Sequence, residues 1–167
     1  SFRSIYSNSI YWVKNVEGML NDIHRILMPG GRAVLEVMTP FLLETLNKLE
    51  KYLSPEAIAI LNRQRRETMR GPRKYDEWKK IILSSGLKIE EARSVYPNRT
   101  LIDIWNIGLR PVSHLLIRMT DSLDREERLA IKREWVDIFH TLFRPLLSLP
   151  VNYNLDDAPY LCWIVKK

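Results

Sequence analysis

The run Val16-Glu-Gly-Met-Leu-Asn-Asp-Ile-His-Arg-Ile-Leu-Met-Pro-Gly-Gly-Arg-Ala-Val-Leu-Glu-Val37 reads as two elements in succession. In its first half Val16, Met19, Leu20, Ile23 and Leu27 recur at steps of three and four, the mark of one buried helical face, and Asn15 stands where it can cap the helix. Pro29 cannot continue that helix, and Gly30-Gly31 supply the positive φ that a sharp reversal needs. Arg32 to Met38 then reads as a strand. Upstream, Phe2 to Ile10 is rich in β-formers and aromatics and runs into Tyr11-Trp12-Val13, which predicts a short buried strand leading into a loop. With a crossover helix between them, the two strands should lie parallel in one sheet.

Downstream, Thr39-Pro40 fits an N-cap with proline in the first turn and predicts a helix to about Tyr52. Ser54-Pro55-Glu56 repeats the device for a helix to about Arg70, which Gly71-Pro72 ends. Tyr75 to Ser85 reads as a helix closed by Gly86, Leu87 to Val95 as a strand, and Thr100 to Trp105 as a further β-rich run. Pro111 to Met119 predicts a short apolar helix. Asp121 to about Leu147 predicts a longer one, with Ile131, Trp135, Phe139 and Leu142 on a single stripe. The near-continuous apolar run Ala158 to Val165 suits a strand covered on both faces. The fold class is therefore α/β, and 167 residues suit one domain, 1–167.

Composition excludes several classes of function. Apolar residues make up 46% of the chain, too many for a disordered linker. The single cysteine, Cys162, rules out an internal disulfide framework and Cys-rich zinc sites, which fits a reducing, cytoplasmic setting. No apolar run approaches the roughly 18 residues of a membrane span, and no signal peptide is expected. The net charge is +6, and most of the excess falls between Arg63 and Lys80, where eight basic residues face three acidic ones. On a continuous helix Arg63, Arg66 and Arg70 would share one face, able to meet phosphates or an anionic surface, although a solvated face is the plainer reading. Without interleaved exposed aromatics or a reading module, a specific nucleic-acid partner is not expected.

The segment Phe2 to Val13, followed by Ile23-His-Arg-Ile-Leu-Met-Pro-Gly-Gly-Arg-Ala-Val-Leu35, resembles the second half of the class I S-adenosylmethionine-dependent methyltransferases of the type 11-like kind. There a strand opening Phe-Asp is followed by a helix ending Arg-Val-Leu-Lys-Pro-Gly-Gly and a further strand. Trp78 to Glu90 and Ala158 to Lys167 resemble later parts of the same family. The resemblance implies a partial Rossmann-like sheet, its last strands parallel except for an antiparallel final strand, with helical cap insertions at 39–75 and 106–150. It implies S-adenosyl-L-methionine as cofactor, bound beside Ser7, Asn8, Tyr11 and Trp12, and methyl transfer to a small-molecule, lipid- or sugar-like acceptor. Asp103, Trp105 and Arg110, in the stretch from Tyr96 to His114, are the candidate acceptor contacts, and His114 is the candidate base.

Two positions depart from the family pattern. Phe2-Arg3 stands where the family has Phe-Asp, and the six glycines include no Gly-x-Gly-x-x-Gly spacing, so the family's cofactor loop and first three strands have no counterpart. The expectation is that the edge of the first strand seeks a partner, by self-association or within a longer protein. The alternative reading is a noncatalytic interaction domain that keeps the scaffold and holds an anionic partner with its basic helix.

Overall fold

Residues 1–63, 65–69, 72–95, 98–149 and 154–167 are described in the computed structural model of the chain. The strand–helix–strand unit is present: β1 (Phe2–Ser7), a 3-10 turn (Ile10–Trp12), α1 (Val16–Ile26) and β2 (Leu27–Met38). The Asn15 side chain caps α1 by accepting from the Gly18 N–H at 2.9 Å. β1 and β2 pair in parallel, with Ile5 opposite Ala33 and Ser7 opposite Leu35. One detail differs from expectation. The Pro-Gly-Gly segment lies inside β2, because the strand begins at Leu27 and the ladder slips between Phe2 and Ser4, so residues 28–31 form a bulge with Gly30 at φ 76°.

The helices that follow are α2 (Glu44–Leu49), reached through a 3-10 turn (Pro40–Leu43), α3 (Pro55–Asn62), α4 (Arg65–Thr68) and α5 (Tyr75–Ser84). After β3 (Lys88–Ser94) come α6 (Arg99–Asp103), a π-helical stretch (Ile104–Leu109), α7 (Arg110–Thr120) and α8 (Arg125–Leu147), and β4 (Tyr160–Lys166) closes the order. The sheet runs β1-β2-β4-β3. β4 is antiparallel to both β2 and β3, so β1, β2 and β3 share a direction and β4 alone is reversed.

The chain divides into two compact units: Ser1–Glu44, Gln64–Tyr96 and Tyr153–Lys167 form the first, and Thr45–Arg63 and Pro97–Asn152 the second. The first holds the sheet. Ala33, Leu35 and Val37 of β2 and Leu161, Trp163 and Val165 of β4 are fully buried against Leu20 of α1 and Trp78 and Ile82 of α5. Tyr75 stacks on Trp163 at 4.9 Å, the Trp78 indole N–H donates to Met38 O at 3.2 Å, and Thr39 Oγ1 donates to Ala158 O at 2.6 Å. These contacts fix the end of β2.

Several expectations need correction. β1 is not buried: Phe2 and Tyr6 are 57% and 61% exposed, since the strand is paired on one side only among the described residues. The opposite face of β4, with Cys162 and Ile164, is half-buried rather than covered. α2 stops at Leu49, short of Tyr52, and α3 ends at Asn62, where Arg63 adopts a left-handed φ of 44°. Arg63, in its left-handed conformation after α3, and Arg66, on α4, therefore do not share one continuous helix; Arg70 and Gly71 lie outside the described residues. Thr100 to Trp105 is helical, because Asn98 accepts from Leu101 N at 2.9 Å and nucleates α6, a cap that outweighs weak β-propensity. On α8 the half-buried stripe is Ile131, Trp135, Phe139 and Phe143, a strict step of four, and Leu142 lies off it, 59% exposed.

Gly86 closes α5 at φ 84°, and a Cβ there would meet His24 Nε2 at 3.3 Å. Gly86→Ala is expected to cost about 1–2 kcal/mol in urea denaturation. Adding His24→Ala should relieve the contact but not the backbone strain. Gly30→Ala, with positive φ but nothing within 4 Å, should cost only the backbone part, about 1 kcal/mol. Burial, together with the Glu36 carboxylate, pushes the Cys162 thiol up, so iodoacetamide at pH 8 should alkylate it far more slowly in the folded chain than in urea.

Candidate functional site

In open α/β sheets ligands gather beyond the C-terminal ends of the parallel strands. At the end of β1, Ser7 is buried and Asn8 is exposed, with no hydrogen bond for its side chain among the described residues. The next turn carries Tyr11, half-buried against the core, and Trp12, 41% exposed; their rings lie 5.2 Å apart, tilted by 46°. The structure thus brings Ser7, Asn8, Tyr11 and Trp12 into one loop. Beside it, Met38 O is held by Trp78, and Thr39 N donates to Pro159 O at 3.0 Å, so the neighbouring strand end is a fixed wall. An open aromatic face beside an uncommitted amide can take a flat heterocycle or a cation.

The second unit treats its four candidates differently. Asp103 Oδ1 accepts from Thr45 Oγ1 at 2.7 Å and from Arg99 Nε at 3.1 Å, a partly buried network within the unit. Arg110 donates to Asn62 O at 3.0 Å and Arg63 O at 3.2 Å, and Arg63 reciprocates to Arg110 O at 2.9 Å and Ser113 Oγ at 3.3 Å. This mutual clamp fastens the end of α3 to the start of α7. His114 Nδ1 is buried and has no hydrogen-bond partner among the described residues. Only Trp105 of the four lines the apolar cleft of this unit, about 250 Å³, whose other walls include Leu116, Ile117, Ile131, Trp135 and Phe139. Tyr96 lies outside the described residues.

Sequence reasoning placed Ile131, Trp135 and Phe139 on one stripe within a cap segment and did not single out Leu116 and Ile117. The signal was present, since Ser113, Leu116, Ile117 and Thr120 recur at three- and four-residue steps along α7 facing the cleft. In the first unit, Arg73 pairs with Glu17 at 3.6 Å and lies 5.4 Å over the Trp78 ring.

No protein-family model matches the chain, and no curated protein sequence matches it. Solved structures do. An S-adenosylmethionine-dependent methyltransferase from Mesorhizobium loti aligns over 100% of this chain and 62% of its own, at 15% identity and a TM-score of 0.51. The [4+2]-cyclase SpnF aligns over 100% and 50%, at 12% identity and 0.51. Phosphoethanolamine N-methyltransferase 2 of Haemonchus contortus, in complex with S-adenosyl-L-methionine, aligns over 100% and 33%, at 14% and 0.50. The chain spans less than two thirds of each. The class this establishes is one of fold: the chain has the α/β fold of the class I S-adenosylmethionine-dependent methyltransferases, with β4 as its reversed strand. Because one of the three is named a cyclase, the fold does not by itself name the reaction.

The Arg63–Arg110 clamp separates side-chain from backbone effects. Arg63→Ala loses the hydrogen bonds and keeps the left-handed strain, whereas Arg63→Gly loses the bonds and relieves the strain. Both should destabilise the chain, Ala more than Gly by about 1 kcal/mol, in thermal denaturation followed by circular dichroism.

Proposed function

We propose that the chain contributes to an enzyme that transfers a methyl group from S-adenosyl-L-methionine to a small-molecule, lipid- or sugar-like acceptor. The observation that carries this reading is the sheet order β1-β2-β4-β3 with β4 reversed. The loop after β1 fits the cofactor: Trp12 offers an open aromatic face and Asn8 an uncommitted amide. When bound, the cofactor supplies a methyl group made electrophilic by its sulfonium. In this reading Tyr11 and Trp12 orient the adenine or the cationic sulfur, Asn8 holds a polar edge, and Ser7 closes the floor.

Methyl transfer is an in-line displacement, so alignment supplies most of the acceleration and proton transfer matters only for acceptors that must lose a proton. The imidazole of His114, whose Nδ1 is buried and unpartnered among the described residues, is the proposed proton acceptor for such a case. Segments 39–75 and 106–150 are the proposed cap. Trp105 would touch the acceptor, while Asp103 and Arg110 would act through the walls that they hold. The open edge of β1 is the proposed surface for self-association or for further strands of a longer protein. No helix among the described residues is long and apolar enough to cross a membrane, and the single free thiol, Cys162, supports a cytoplasmic setting.

The alternative, an interaction domain gripping an anion with a basic helix, is less well supported because α3 ends at Asn62 and Arg63 is spent on the clamp. Isothermal titration with S-adenosylhomocysteine tests the proposal. The protein carrying this chain should bind it at micromolar concentration, and Trp12→Ala should weaken binding about tenfold without changing the far-ultraviolet spectrum. No binding would favour the interaction domain.

A further inference from the structure

The cleft in the second unit, about 250 Å³ and lined from the π-helical stretch, α7 and α8, is walled almost wholly by apolar side chains. Its hydroxyls are already engaged: Ser113 Oγ donates to Arg110 O at 2.9 Å and Thr120 Oγ1 to Ile117 O at 2.9 Å. The lining groups that make no hydrogen bond among the described residues are the Lys132 ammonium and the indole N–H groups of Trp105 and Trp135. All three are donors and none can accept. An apolar cleft whose free N–H groups sit on one ammonium and two indoles, its hydroxyl protons being already donated, selects a ligand with an apolar body and an acceptor head.

We infer that this cleft binds a small amphipathic carboxylate, its acid group against Lys132 and its acyl chain or ring among Trp105, Trp135 and Phe139. The size suits it, being below the roughly 300–1,000 Å³ of sites for drug-sized ligands and too small for the face of a partner helix. Charge argues against an anionic bilayer as the occupant. Residues 110–147 carry seven basic and six acidic side chains, so the cation that matters is the single Lys132 at the cleft and not a basic face. The binding claim stands apart from methyl transfer; only the further step, that the carboxylate is the methyl acceptor, rests on that reading.

Calorimetric titration with octanoate and with its neutral counterpart 1-octanol tests the inference. Octanoate should bind about tenfold more tightly than 1-octanol. Lys132→Gln, a change at an exposed side chain, should bring the two within about twofold while leaving 1-octanol unchanged. Ile131→Arg should abolish binding of both, with the cleft-filling Leu116→Trp used instead if circular dichroism shows that the first variant is unfolded. Equal affinities in the parent protein, no effect of Lys132→Gln, or no binding of either probe at millimolar concentration would each overturn the inference. So would a dimer in sedimentation that Ile131→Arg breaks and octanoate leaves intact, since the cleft would then be an interface between copies. S-adenosylhomocysteine binding is read separately, so failure here leaves the cofactor reading standing, and the reverse.

Discussion

β4 runs against both of its neighbours, and the rest of the first unit depends on that pairing. Its seven residues, Tyr160 to Lys166, match β2 one for one from Met38 back to Arg32, and the face carrying Leu161, Trp163 and Val165 is fully buried. At about 1.5–3 kcal/mol for each large apolar side chain removed from water, this strand supplies a major part of the unit's burial. β3 pairs with β4 and with no other strand among the described residues, so β3 is held in the sheet through it. An ion pair reaches across: Arg32 of β2 donates to Glu90 of β3 at 2.6 and 3.1 Å, and this holds the Glu90 carboxyl below the usual carboxylate range. Both groups are open to water, so the pair aligns the strands more than it stabilises them.

What could be read in advance divides along the same line. β1, α1 and β2 were legible because each is set by neighbours in sequence: β-formers, a three-and-four apolar step, a capping asparagine and the Pro29-Gly30-Gly31 break, although that break proves to be a bulge inside β2 and not a turn before it. The apolar run of β4 was equally plain, but its reversed direction entered only through the family resemblance. The second unit was less legible because its shape is set by partners distant in sequence. Nothing near Arg110 announces that it will hold the carbonyls of Asn62 and Arg63, and nothing near Asp103 points to Thr45. Asp103 and Arg110, read from the sequence as acceptor contacts, each hold groups distant in sequence within the unit. The loop from Ser7 to Trp12 was foreseeable as a cluster because it spans six consecutive residues at a strand end.

The fold also bounds what can be said about chemistry. A methyltransferase and a [4+2]-cyclase both superpose on this chain at comparable quality, so the scaffold supplies a place for ligands without dictating what happens to them. What distinguishes this chain is local: an aromatic pair and a free amide after β1, and an apolar cleft with a lone ammonium in the helical unit. Neither feature follows from the strand order.

The π-helical stretch Ile104–Leu109 has a geometric effect on that cleft. A π turn holds more residues than an α turn, so side chains four apart fall behind one another there, whereas on an α-helix they run ahead. Trp105 to Leu109 is one such interval, and Leu109 to Ser113 is its α-helical counterpart. The lag of the first offsets the lead of the second, bringing Trp105 back into azimuthal line with Ser113 and Thr120, all three on the lining. The widened turn works as a phase corrector, without which an unbroken α-helix would swing the indole around the axis and away from the residues it now stands above.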